Sequence, residues 1–245
     1  MAVRLTDRDV RMLAKCAICR WLTTDQLRRL YFPDATLNAV QKRLRKLADA
    51  GYLRSHREHP TAEALHAVGP KGKLLVEARG VAVSPAVELP KQLDHLLGVN
   101  AVRIAVETSK VQVAYFFAYW ELADVGWTHP VIPDAVFAVR APEKRTFLVE
   151  YDRGTETLEK LLQKVRGYDQ GLTEFPFAVA LIITERTRRM DVLADHLRRK
   201  DVSVTTLAST MEEIREAGFF EVSFVDLLRG GKRRVLEAPS GEDKA

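Results

Sequence analysis

Residues 178–183 read Ala-Val-Ala-Leu-Ile-Ile, an unbroken apolar run with no polar position to offer to water. Such a run is typical of a buried strand, which needs a covered sheet around it. Helical and strand patterns alternate on either side of it. A helix is expected from Gln92 to Ser109, and strands at about 111–119, 132–139 and 146–152. Thr155 is expected to cap a helix running to about Leu172, and a helix at Met190–Arg199 with a strand at Val202–Leu207 extends the pattern. The fold class is therefore α/β, or α+β for the chain as a whole.

The N-terminal third has a different rhythm. Thr6 with Asp9, then Thr23 with Gln26, are capping pairs for two short helices. Pro33 breaks the second, because proline disfavours helix in the residue before it. A third helix is expected from about Leu37 to Ala50. Leu37, Val40, Leu44, Leu47 and Ala48 recur at three- and four-residue steps along one face. The opposite face holds Asn38, Lys42, Arg45 and Lys46, flanked by Gln41 and Arg43. One side can pack on the first two helices while the other offers cations and amides, the division that a helix lying in a DNA major groove requires. Asn38 and Lys42, nearest the helix start, are placed for base edges, with Gln41 beside them, and Arg45 and Lys46 for phosphates.

Gly51 ends that helix. Strands at 52–57 and 64–68 follow, joined by a polar turn around His59-Pro60-Thr61, with Arg57 and His59 near its tip. A closing helix spans Lys71 to Arg79. Three helices and a hairpin in this order predict a winged helix-turn-helix over residues 1–80. In it, Arg57 and His59 would reach phosphate or the minor groove. Charge agrees: residues 1–80 carry 16 Lys or Arg against 8 Asp or Glu, and the remainder 22 against 25. A basic module for a polyanion attached to a near-neutral domain is the implied organisation. Residues 81–91, with two prolines, read as a linker, 92–237 as the second domain and 238–245 as a disordered tail.

Cys16 and Cys19 are the only cysteines, three apart in a helical pattern with no second ligand pair nearby, so core packing is expected for them. They provide no disulfide framework, no apolar stretch reaches the ~18 residues of a membrane span, and the first residues form no signal peptide. A cytoplasmic protein with no membrane partner is expected.

The second domain's order of helix, three strands, helix, strand resembles the PD-(D/E)xK nuclease-like fold, the restriction-endonuclease-like αβββαβ core. Pro133-Asp134 opens one strand, and sixteen residues later the next ends in Glu150-Tyr151-Asp152. Glu150 and Asp152, two apart, point to one face, and a hairpin would bring Asp134 beside them. Asp134, Glu150 and Asp152 would then form an oxygen site suited to Mg²⁺. The resemblance implies a lysine at the position held by Asp152; Arg153 points to the opposite face, and Lys164 on the following helix is the candidate to supply the ammonium. The stretch 163–168 is similar to a Gln/Tyr helix motif of some of these nucleases, imperfectly spaced, and His95 or Glu107 would be further ligands. Either a bound Mg²⁺ or no cofactor is compatible with this pattern, so enzyme status stays open.

Taken together, the chain resembles the replication-relaxation family of bacterial plasmids and integrative elements. The carriers are Leu5-Thr6-Asp7-Arg8-Asp9, Gln26 to Phe32, Arg43 to Leu47 with Gly51-Tyr52-Leu53, His95, Pro133-Asp134 and Phe147 to Glu156. The resemblance implies a role on mobile DNA. Three readings follow: a DNA-binding accessory or regulatory protein that contacts a replication or transfer protein, an Mg²⁺-dependent endonuclease or nickase, and a ligand-sensing repressor. Double-stranded DNA is the expected partner in each, with a homodimer on a pseudo-palindrome.

Overall fold

The computed structural model describes residues 3–83, 88–141, 143–170, 178–199 and 202–237. The chain is mixed α and β and divides into two compact units, residues 1–104 and 105–245. The division falls inside a helix rather than in the 81–91 stretch expected as a linker, of which 84–87 lie outside the described residues. The expected tail, 238–245, lies outside them as well.

The first unit begins with α1 (Asp7–Cys19), β1 (Leu22–Thr23), α2 (Thr24–Tyr31) and α3 (Leu37–Asp49). Each helix starts on a threonine. Thr6 and Thr23 form reciprocal capping boxes with Asp9 and Gln26, and Thr36 accepts from the Ala39 amide. These satisfy backbone donors that the first helical turn leaves without partners. The hairpin β2 (Leu53–His56) and β3 (Leu65–Val68) follows, then α4 (Pro70–Glu77), with proline at its first turn, and α5 (Leu93–Glu107). The sheet order is β1-β3-β2, antiparallel throughout, with Leu53 opposite Val68 and Leu22 opposite His66. β1 is only two residues long, too short to leave a periodic signal in the sequence.

Met12, Leu13 and Cys16 of α1 pack with Leu27 of α2 and Val40, Leu44 and Leu47 of α3 in one buried cluster. Cys16 and Cys19 are both buried thiols, as the helical spacing predicted. Asn100 on α5 donates its amide to Cys19 O at 3.0 Å and to Trp21 O at 2.9 Å, which fixes this part of α5 within the first unit.

The second unit is a seven-stranded sheet, order β10-β9-β8-β7-β6-β5-β4. Its strands are β4 (Val113–Ala118), β5 (Ala135–Ala141), β6 (Glu143–Asp152), β7 (Ala178–Thr184), β8 (Thr206–Thr210), β9 (Ser223–Asp226) and β10 (Lys232–Arg234). β6, β7 and β8 run parallel; the pairs at either side are antiparallel. The apolar run lies at the sheet's middle as β7, with Ala180 to Ile183 buried. The crossovers α6 (Leu158–Gln170) and α7 (Thr187–Leu197) cover one face, where Leu161, Val165, Met190 and Leu193 meet Leu148, Ala180 and Ile182. On the alternate face Phe137 stacks on Phe147, their ring centroids 4.7 Å apart, and meets Phe219 edge-on, just past α8 (Met211–Ala217).

Several boundaries differ from expectation: β5 and α7 are displaced by two to three residues and β6 begins three earlier. α6 starts at Leu158, with Thr157 rather than Thr155 accepting from a first-turn amide, that of Lys160. The strand expected at 202–207 pairs as 206–210; its far end was missed because polar Ser209 and Thr210 are buried in it and do not read as strand core.

Gly167 on α6 permits a close approach that fixes the entry to β5. A Cβ there would lie 2.3 Å from Val131 Cγ2. Gly167→Ala is therefore expected to destabilise the chain by ~1–3 kcal/mol through overpacking, although alanine is the better helix former. Denaturant melts check this, and Val131→Ala should restore much of the loss in the double variant.

Candidate nucleic-acid interface and carboxylate cluster

α3 buries Val40, Leu44 and Leu47, and leaves Asn38, Gln41, Lys42, Arg45 and Lys46 exposed, as expected. Leu37 is the exception. Its spacing assigns it to the apolar face, yet it is 52% exposed. The reason is positional: Thr36 before it is the N-cap, so Leu37 sits in the first turn, at the end of the buried stripe. Arg43, between the two faces, anchors the helix. Its guanidinium donates Nε to Asp9 Oδ1 at 3.0 Å and Nη2 to both Asp9 Oδ2 and Arg4 O. Burial alone would push the fully buried Asp9 carboxyl upward, but the bonds from Arg43 and Thr6 outweigh it and hold the group below its ordinary range.

The remaining α3 polar groups are different. Among the described residues no hydrogen bond or ion pair within the chain engages Asn38, Gln41, Lys42, Arg45 or Lys46, whereas Arg28 and Arg29 on α2 both pair with Asp25. At the hairpin, Arg57 donates to Pro60 O at 2.7 Å and His59 Nδ1 meets Thr61 Oγ1 at 2.9 Å, so both expected tip residues help shape the turn itself. Sequence reasoning missed His66. Its buried ring joins Thr24 Oγ1 and Ser55 Oγ, each at 3.0 Å, tying α2 to the hairpin. Burial, aided by the Arg57 charge, lowers its pKa to about 4, which keeps the ring neutral in this role at physiological pH.

In the second unit the antiparallel register sets Ala135 opposite Val149, which brings Asp134 beside the end of β6. Asp134 Oδ2 accepts the Tyr151 amide at 2.8 Å. Glu150, 2% exposed, accepts from Lys164 Nζ at 2.7 Å on one oxygen and from the Tyr168 hydroxyl on the other. Lys164 and Tyr168 are one helical turn apart on α6, so both reach over the same strand. Gln163 and Arg166, the other polar residues of that motif-like stretch, are exposed. Asp152 is held by Arg189 Nε at 2.6 Å and by the Gly154 amide at 2.8 Å, while Arg189 also donates to Glu156 O.

Burial and the nearby Asp134 charge push the Glu150 carboxyl up to about 8 against the opposing pull of Lys164 and Tyr168. Burial and Glu150 push the Tyr168 hydroxyl well up. Lys164 loses some basicity to burial, but Glu150 and Asp134 more than restore it and its ammonium is held above its ordinary range. Chemically this is a proton-sharing carboxyl, lysine and tyrosine set.

The expected Mg²⁺ ligands thus share a strand end, but both oxygens of Glu150 and of Asp152 are already committed, and Asp134 Oδ2 holds a backbone amide. Asp152 is neutralised by arginine and Glu150 is capped on both oxygens. Among the described residues no group of three or more His, Cys, Asp or Glu side chains is placed to hold a metal ion, with His95 and Glu107 on α5 included. A divalent cation asks for several anionic oxygens facing one point, and this donor set does not fit it. The signal missed in the sequence was Arg189: nothing local marks a partner thirty-seven residues away.

The chain is thus a two-unit α+β protein, one unit carrying an exposed cationic helix face and the other a buried carboxyl–lysine–tyrosine cluster at a sheet end. It belongs to the replication-relaxation family, whose model matches residues 13–174. No curated protein matches it in sequence. No helix among the described residues is long and apolar enough to cross a membrane.

Proposed function

We propose that the first unit is a winged helix that binds double-stranded DNA through α3, and that the chain serves as an accessory or regulator in replication or transfer of a mobile element. The observation that carries this reading is the row of five exposed α3 side chains without partners among the described residues: Asn38, Gln41, Lys42, Arg45 and Lys46. Cations left unpaired on one side of a well-anchored helix suit an array of phosphates, and the two amides suit base edges. Family membership supports a DNA-linked process. The second unit then acts as a nuclease-like scaffold that contacts a second copy or a replication or transfer protein. Its committed carboxylates favour this role over metal-dependent cleavage.

The test is fluorescence anisotropy of the full chain on a labelled duplex at several salt concentrations. Lys46→Ala should weaken binding to all duplexes alike and flatten the logarithmic salt slope by about 0.9. Asn38→Ala should instead narrow the gap between preferred and random sequence. An unchanged salt slope in Lys46→Ala would refute docking through this face.

A further inference from the structure

Leu37 is an apolar side chain, 52% exposed, in the first turn of a helix whose exposed face is otherwise built of amides and cations. It directly precedes Asn38, and Ala39 beside it is exposed too. A helix that enters a major groove presents its N-terminal residues to the bases. On the major-groove edges of the four bases the apolar feature is the 5-methyl group of thymine, and an amide side chain pairs bidentately with adenine. Lys42, Arg45 and Lys46 follow at one- to two-turn distances along the same helix, without partners among the described residues, and match the negative charge of the flanking backbone.

Resting on the reading that α3 binds duplex DNA, we propose that Leu37 is a specificity-determining residue that covers a thymine 5-methyl group, with Asn38 on an adjacent adenine, so that α3 reads an A·T step. A leucine here gains little from the protein: the core stripe is complete with Val40, Leu44 and Leu47, all buried. Its contact area is available for the groove. Asn38 alone would accept adenine on either strand orientation that its amide can reach; the neighbouring methyl contact fixes which strand carries the thymine.

A duplex selected from a random pool by the full chain is compared with the same duplex carrying deoxyuridine at every thymine, which removes only the methyl groups. The wild-type chain is expected to bind the deoxyuridine duplex about fourfold more weakly, the factor that burial of one methyl group corresponds to. Leu37→Ala should bind both duplexes equally, and Leu37→Met, which keeps an apolar tip, should retain the discrimination. Equal wild-type affinity for the two duplexes, with salt-dependent binding intact, would overturn the thymine contact while leaving DNA binding in place. Failure to bind any duplex would overturn both. Loss of a dimer in Leu37→Ala, seen by sedimentation with no change in thymine discrimination, would assign Leu37 to a second copy of the chain and defeat the proposal.

Discussion

Replacing Arg43 by methionine should cost ~3–5 kcal/mol of the first unit's stability at neutral pH, the range for a buried ion pair that loses one member. The Asp9 carboxylate is fully buried, and Arg43 reaches it with two donors across a separation of thirty-four residues. Methionine keeps most of the volume but leaves the charge without its main partner. The sign with pH follows from the depressed Asp9 pKa. In the wild type, its stabilisation is present above the ordinary carboxylate pKa and is lost as pH falls through the lower folded value. In the variant that lowering is removed, so the deficit should shrink toward acid pH, where Asp9 takes up a proton. Urea melts of the full chain between pH 3 and 7 measure this, and Asp9→Asn on top of Arg43→Met should recover part of the loss. A deficit independent of pH would mean that Arg43 contributes packing rather than charge.

Glu150→Gln is expected to act in the opposite direction. The folded chain holds the Glu150 proton up to about 8, far above the ordinary carboxyl value. Between those two values the folded state binds more protons than the unfolded one, so stability must fall as pH rises through that window. One such group contributes a slope of up to ~1.4 kcal/mol per pH unit. Glutamine keeps the shape and an acceptor for Lys164 and has no proton to release. Its melts should therefore be flatter from pH 5 to 8, with the variant the more stable at pH 8. Parallel profiles for the two proteins would show Glu150 ionised throughout, with Lys164 as a full counter-charge.

These two sites also mark where the sequence was and was not legible. The α3 face could be read because helical periodicity is local: Val40, Leu44 and Leu47 announce one side and so define the other. Leu37 obeys the same period and yet is exposed, since period specifies a direction around the axis and not how far the neighbouring elements extend along it. Asp134 and Glu150 could be paired on paper because a hairpin register is short-range information. The partners that decide what those carboxylates do come from other elements. Tyr168 and Lys164 lie on a crossover helix and Arg189 on the next, and their arrival depends on how α6 and α7 pack over the sheet. β9, β10 and α8 escaped notice for a related reason: they are short, and charged residues break their pattern.

The last strand of the sheet has a bearing on how copies of this protein can meet. β10 is Lys-Arg-Arg, three residues long, and among the described residues no strand lies beyond it in the sheet order. An open edge ordinarily invites pairing with another chain, but a short one carrying consecutive cations repels its own image. Growth of the sheet from one molecule into the next through this margin is thereby discouraged, and the chain is guarded there against runaway fibre formation. Strand pairing between copies is steered away from this margin of the sheet and left to its opposite one, β4, whose six residues carry no charge.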